Sequence, residues 1–337
     1  DESGRKMSKS LGNVIEPSWV TDKLSADILR LWATSQDFTT DMMIGQKIID
    51  VQKKLYVKIR TISRFIIGLL GDFSPSDATP SLSLLDRMQL IRLEEFNREI
   101  DSYYRDFKFS RINATLTSSI SEFSSFYFDI VKDRIYADAK DSSSRQAACF
   151  VAYLTFHSMV RAIAPIMPHL VEEIYAFCPV ISDSKEQADS FFSHPSWLRN
   201  VSTFYSKDDE AIYASTWKHF LELRSSINTI SAKARKDSVI GSSLDVIVKL
   251  HLPENHELYS LLDQLENSLE TLADLCIISE IELVKEPPTG AYSGECSGAT
   301  FIVESAEKAA KTKCDRCWKY NADSSTHLCS RCASIVL

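Results

Sequence analysis

The 337-residue chain has no apolar run long enough to cross a membrane. Its most apolar windows, near Phe65–Leu70 and Ala147–Met167, are interrupted by Gly, Arg or His. No secretory leader is expected from the residues in hand, since Asp1 and Glu2 open the chain and no apolar segment follows. The chain does not begin with Met, so a fragment or a processed product is expected, and a targeting peptide could have been lost. Internal repeats and low-complexity tracts are absent. So is any surplus of positive charge: 38 Lys and Arg face 46 Asp and Glu, a net charge of −8. That balance argues mildly against a protein coated with basic surface. It leaves room for a local basic stripe, which is what nucleic-acid affinity depends on.

What remains is globular in balance, with 44% hydrophobic and 25% charged residues. The length allows two domains and a small appendage. The eight cysteines fall into two groups. Cys149, Cys178, Cys276 and Cys296 are scattered singly in mostly apolar settings and read as inert thiols. The other four lie close together at the end of the chain. Without a secretory signal, such clustering favours metal binding over disulfides.

The most informative stretch is residues 5–13, Arg-Lys-Met-Ser-Lys-Ser-Leu-Gly-Asn. Lys6, Ser8, Lys9 and Ser10 place two mobile cations and two hydroxyls between Gly4 and Gly12. Lysine is a flexible point charge that can follow developing negative charge. Hydroxyls and backbone N–H groups can bind phosphate oxygens. On the residues alone, a polyphosphate site and a merely solvated loop both remain open.

Downstream the pattern is helical. After a turn at Glu16, Pro17 and Ser18, Ser25 is placed to cap a short helix through Ala33. A long helix is expected from Ile44 to about Leu70, with Ile48, Leu55, Ile59, Ile62, Ile66 and Leu69 as its apolar stripe. Its cations Lys53, Lys54, Lys58, Arg60 and Arg64 suit either a solvated face or phosphate contacts on RNA. A loop is expected over 71–83. Helices follow over Leu84–Asp106, Ser110–Tyr136 and Ser144–Ile163; Pro165 and Pro168 must then end or kink the chain before a short helix over His169–Phe177. Four long amphipathic helices with short connections predict a helical bundle. His157, on an apolar helix, reads as a packed residue.

Residues 179–189 are polar and irregular, and His194-Pro195-Ser196-Trp197 suggests a surface strand or loop. Another long helix is expected over Asp208–Lys236. Its Arg224, Lys233, Arg235 and Lys236 suit the helix dipole as well as any partner. Past Gly241 the character changes. Asp245–Leu252 alternates as a strand, Glu254–Leu272 is helical, and Ala273–Val284 and Thr300–Glu304 read as strands, with Gly290, Gly294 and Gly298 in turns. This predicts a small α+β unit.

Cys314-x-x-Cys317 and Cys329-x-x-Cys332 close the chain, separated by eleven residues. Four thiolates in two such corners suit one tetrahedral zinc ion in a structural role. His327 could replace a ligand, but four cysteines already fill the site. Residues 301–337 hold six Lys or Arg and four Asp or Glu, a formal +2. A zinc tetrathiolate adds −2, so net charge gives no push toward RNA. A case for RNA contact rests on Trp318 and Tyr320 as stacking surfaces, with Lys313, Arg316, Lys319 and Arg331 nearby. A structural knot and an RNA contact are compatible readings.

KMSKS followed by LGN resembles the second signature motif of the class I aminoacyl-tRNA synthetases. "ADILRLW" is similar to wording of their isoleucyl, valyl and leucyl branch, with Ser25 where that family often has Gly. "FSRINATL", "FYFDIVKDRIY" and "APIMPHLVEEIY" resemble its α-helical anticodon-binding domain, with Tyr175 where Trp is frequent. "CDRCWKY…CSRC" is similar to the C-terminal zinc segment of the bacterial-type isoleucyl family. The family's first signature, an H-x-G-H motif, is absent, as are a Rossmann core and an editing domain.

The resemblance therefore implies a mainly α chain. Residues 1–43 would be the end of a catalytic domain with its KMSKS loop, and 44–205 an anticodon-binding bundle. Residues 206–305 would form a helix plus a small α+β domain, and 306–337 a zinc-binding segment. It implies part of a monomeric ligase that activates isoleucine with ATP and Mg2+ and transfers it to tRNA(Ile). Carried over by position, Lys9 is the principal ATP-binding residue, Lys6 assists in catalysis, and Ser8 and Ser10 support the loop. Cys314, Cys317, Cys329 and Cys332 hold zinc. Without its catalytic half the chain is expected to be inactive alone. The expected compartment is cytoplasm in a bacterium, or mitochondrial matrix or plastid stroma in a eukaryote; many serines and only nine glycines tilt it toward an organelle. Two alternatives are a non-catalytic tRNA-binding zinc protein and another synthetase of the leucyl or valyl branch. The loop speaks against the first, because a pure binding module has no evident need for it.

Overall fold

The computed structural model describes residues 1–71, 73, 79–178, 190–193, 200–265 and 267–336. The irregular stretch expected at 179–189 and the segment His194–Trp197 lie outside the described residues, as does part of the loop expected at 71–83. The chain divides into two compact units. One holds Asp1–Thr79, Arg92–Phe128 and Cys149–Thr203. The other holds Pro80–Ile91, Asp129–Ala148 and Phe204–Leu337. Among the described residues no helix is long and apolar enough to cross a membrane.

The first unit is helical. Pro17 opens α1 (Pro17–Thr21), where its missing N–H costs nothing. The Ser25 side chain accepts the Asp27 N–H and starts α2 (Ala26–Ser35). α3 (Gln46–Leu69) packs against α2 through Ile49, in a cluster with Val20, Ile28 and Ile44. In its first turns the buried face therefore runs through Ile49 and Gln52, not the Ile48 and Leu55 that the periodicity picks out; from Ile59 onward the expected stripe is the buried one. α4 (Leu84–Arg105) and α5 (Phe109–Ser125) meet with Phe96 edge-on to Phe123 at 5.9 Å.

The single helix expected over Ser110–Tyr136 is two. It breaks at Phe126, whose ψ of −80° leaves the helical path, and α6 (Tyr127–Ala137) starts afresh. α7 (Ser143–Ile163) is buried nearly all round, and α8 (Pro168–Phe177) begins at its second proline. His157 is buried on α7, where its Nε2 accepts the Arg161 Nε–H at 2.9 Å. It is a packed residue, as expected.

In the second unit, α9 (Lys207–Ile212) opens with a capping box between Ser206 and Asp209 and runs through a π-helical turn into α10 (Lys218–Lys236). The sheet follows, from β1 (Val246–His251), β2 (Glu280–Leu283), β3 (Ser293–Cys296) and β4 (Ala299–Ser305), in the order β2-β1-β4-β3. β1 runs parallel to β2 and antiparallel to β4. The expected helix over Glu254–Leu272 is instead α11 (Leu258–Leu262) and α12 (Ser268–Cys276). Asn267 and Ile277 flank α12 in left-handed conformation, which separates it from α11 and ends it only after Cys276. The first residues of the strand expected at 273–284 are therefore helical. Gly294 sits inside β3, not in a turn. It pairs with Phe301, whose ring would lie 2.6 Å from any Cβ placed there. α13 (Ser330–Val336) ends the described chain.

Candidate functional site

Two regions carry chemistry. The first is the loop over 5–13. Asp1 accepts the backbone N–H groups of Ser3 and Arg5 at 2.9 and 3.0 Å and the Arg5 guanidinium at 3.0 Å. The Asn13 amide donates to Asp1 at 2.8 Å, and its carbonyl oxygen accepts the Ser8 N–H at 3.0 Å. Ser8 accepts the Leu11 N–H at 3.3 Å and lies 3.1 Å from the Ser10 hydroxyl. Gly12, at φ 65°, closes the turn by donating to the Lys9 carbonyl. Ser8 and Asn13 are thus engaged in shaping the backbone, and the Ser10 hydroxyl pairs with that of Ser8. Lys6 and Lys9 are exposed, and neither ammonium has a partner among the described residues. The arrangement is a structured turn with two free cations.

The second region is the cysteine cluster. Four buried sulfurs, from Cys314, Cys317, Cys329 and Cys332, lie within 4.8 Å of one another. Among the described residues it is the only group of three or more such side chains close enough to share a metal ion. The Cys317 and Cys329 sulfurs are 3.7 Å apart. The tetrahedral edge implied by zinc–sulfur bonds of about 2.3 Å is about 3.8 Å, so the cage fits one such ion. Left-handed turns at Trp318 and His327 double the chain back beside each pair. Cys314 donates its N–H to Lys319 O at 2.8 Å, and Asp315 donates to His327 O at 3.0 Å. His327 itself is exposed and lies outside the sulfur cluster.

Burial pushes the Cys314 thiol up, but backbone N–H groups of Cys317, Cys329 and Arg316 more than offset this and bring it down to about 6. Burial dominates at Cys317 and Cys329, whose thiols are raised. One sulfur is therefore ready to ionise near neutral pH, and a cation would have to draw the others into thiolate form.

The basic residues around the knot are mostly spent on the protein itself. Arg316 donates to the Ala137 carbonyl and points at the Cys332 sulfur at 3.7 Å. Lys319 pairs with Asp274. Arg331 donates to both oxygens of Asp133 at 2.6 and 3.1 Å, and Asp138 lies 3.5 Å away. Burial disfavours its charge, but these two carboxylates outweigh that and hold the guanidinium protonated. Of the four cations singled out in the sequence, Lys313 is the exposed one, 6.0 Å from the ring centres of both Trp318 and Tyr320. Trp318 is 62% exposed and lines a cleft of about 340 Å³ together with residues of α6. Of the aromatic–basic set suggested by the sequence, the structure leaves Trp318 and Lys313 open to solvent. Asp133 and Asp274, which anchor the knot to its neighbours, carry no signal in the sequence. Their role follows from long-range packing.

Comparison with known proteins adds two family matches. The anticodon-binding domain of tRNA ligases matches residues 86–250, and the class I tRNA synthetases (I, L, M and V) match residues 1–45. Among curated relatives, the isoleucine–tRNA ligase of Fervidobacterium nodosum is 36% identical over the whole of this chain and 36% of its own length. Those of Thermotoga maritima and Gloeobacter violaceus are 35% and 34% identical, again over all of this chain, covering 36% and 34% of their own lengths. The chain thus spans about a third of the length of the relatives it matches.

Proposed function

The chain belongs to the isoleucine–tRNA ligase family of class I synthetases, and on that premise we propose that it supplies the activation loop and the tRNA-binding part of such a ligase. In that reaction the isoleucine carboxylate attacks the α-phosphate of ATP and pyrophosphate leaves; the isoleucyl group then passes to tRNA(Ile). No protein nucleophile is required. The work left to the protein is to hold the phosphates and stabilise charge on the departing pyrophosphate.

The observation that carries this reading is the loop. Ser8 and Asn13 are committed to the backbone and Ser10 pairs with the Ser8 hydroxyl, while Lys6 and Lys9 project freely from the turn. A pre-shaped turn with uncommitted ammonium groups suits a ligand whose charge changes during reaction, because neither cation must first leave an internal partner. Lys9 is assigned to the ATP phosphates and Lys6 to assisting them. Ser8 and Ser10 hold the turn.

The four cysteines are assigned to one zinc ion, which when bound supplies a structural crosslink. Their role is to hold the 314–332 segment in shape and so present Trp318 and Lys313. Residues 1–43, 44–205, 206–305 and 306–337 are taken as the functional divisions; the class I match over residues 1–45 supports the first, while the anticodon-binding match over 86–250 runs from the second into the third.

The test is isoleucine-dependent ATP–pyrophosphate exchange by the full-length ligase. The Lys9→Ala variant should be slower by about 100-fold, with tRNA binding changed by less than about twofold. Equal exchange rates in the two proteins would remove Lys9 from the activation step.

A further inference from the structure

The stretches "ADILRLW", "FSRINATL" and "APIMPHLVEEIY" hold none of the loop lysines or cluster cysteines, yet in the structure they meet. Asp27, Arg30, Leu31 and Thr34 share one face of α2, at spacings of three, four and seven residues. The Asp27 carboxylate is completely buried, and it accepts the Leu170 N–H at 2.8 Å and the His169 N–H at 3.4 Å. Three residues on, Arg30 donates to Ile166 O and Pro165 O, each at 2.8 Å. From α5, Asn113 donates to Leu31 O at 3.1 Å and to the Thr34 hydroxyl at 3.2 Å.

The partners of Asp27 and Arg30 are not arbitrary. Had α7 continued straight into α8, the N–H of residue 169 would bond to the carbonyl of residue 165, and that of 170 to 166. Pro165 and Pro168 force a corner that breaks both bonds. α2 replaces them. Asp27 takes the two orphaned donors and Arg30 takes the two orphaned acceptors. α8 has no capping side chain of its own, because Met167 occupies that position, so the anionic cap comes from α2. The chain resumes normal helical bonding at Val171, which donates to Met167 O at 3.1 Å.

We propose that Asp27 and Arg30 are positioning residues that lock the segment carrying the Arg5–Asn13 loop to the α7–α8 corner of the helical domain. The proposal rests on the ligase reading above. In that reading, activation without tRNA needs only the loop and the catalytic centre. Transfer also needs the helical domain to hold tRNA at a fixed distance from that centre. The joint sets this distance. Its loss therefore falls on transfer more than on activation.

The experiment compares unaltered full-length ligase with Asp27→Asn and Arg30→Met, measuring ATP–pyrophosphate exchange, aminoacylation kcat and KM for tRNA, melting temperature and amide exchange at Leu170. Asp27→Asn keeps the side-chain shape but turns an amide donor toward backbone donors. The expected result is a loss of about tenfold or more in aminoacylation kcat, with exchange within about threefold and KM for tRNA unchanged. Leu170 should lose amide protection in Asp27→Asn. Arg30→Lys, able to reach one carbonyl at a time, should recover part of the loss. A parallel fall of exchange, transfer and melting temperature would reduce the joint to ordinary scaffold and overturn the proposal. So would unchanged transfer in a variant whose Leu170 amide has lost protection. If Asp27→Asn does not fold, Arg30→Met carries the same comparison. If the unaltered ligase shows no isoleucine-dependent exchange, it is the ligase reading that fails. A persistently protected Leu170 amide in Asp27→Asn then removes the joint as well.

Discussion

The loop over 5–13 and the cysteine knot over 314–332 solve opposite problems. In the loop, Ser8, Asn13 and the Asp1–Arg5 ion pair shape the backbone, and the two lysines, Lys6 and Lys9, are left over. In the knot, the cations hold the segment in place: Arg316, Lys319 and Arg331 are all committed to neighbouring carbonyls or carboxylates. A site for a mobile polyphosphate needs charge that is free to move, whereas a structural metal site needs a shell that does not. Counting Lys and Arg treats the two regions alike. Counting their partners separates them.

The contrast can be broken most severely at the knot. Cys314→Ser in the full-length ligase should lower bound zinc from about one equivalent to near zero, because a three-sulfur set leaves the tetrahedral cage open. Transfer to tRNA should fall by about tenfold or more, as loss of a single structural support does elsewhere, while exchange is spared. Elemental analysis and the two assays decide the matter, and unchanged zinc content would take the metal out of the account. Trp318→Ala is the next smaller test. It removes an exposed ring and leaves the cage intact, so zinc should stay bound while tRNA binding weakens by about tenfold, the typical worth of one stacked base. Unaltered affinity would make the knot purely structural.

The smallest effect is a titration. In the metal-free protein, ultraviolet thiolate absorbance should show one step near pH 6, missing in Cys314→Ser. Cys317 and Cys329 should ionise only above the ordinary thiol range. The sign follows from linkage: a folded-state pKa below the ordinary value means that ionised Cys314 favours the folded form at high pH. That contribution fades as pH falls through about 6. Metal affinity should decline in the same direction, since protons compete for the sulfurs. A step centred near the ordinary thiol value would show that the three N–H groups do not act on Cys314 as described.

Much of this was legible along the chain. The two C-x-x-C pairs announce a four-sulfur cluster because the ligands are local to each turn. The long helices announce themselves because a 3.6-residue period survives in any sequence that buries one face. The structure departs from the local pattern where long-range contact overrides it. Ile49 replaced Ile48 because α2 packs on that side. Gly294 lies within a strand because Phe301 fills the space a side chain would need. Breaks at Phe126 and between α11 and α12 depend on backbone conformations at one or two residues, which composition hardly encodes.

What the sequence determined by itself was therefore chemistry of short range: which residues ionise, which can ligate, and which turn or helix each stretch prefers. Tertiary structure alone decided which charges are spent and which are free. It also decided that Asp27 and Arg30 stand in for two helix hydrogen bonds more than 130 residues away in the chain. The reason is physical. Propensity and spacing act within a few residues, whereas the cost of an unpaired buried polar group is settled by whatever the fold brings beside it.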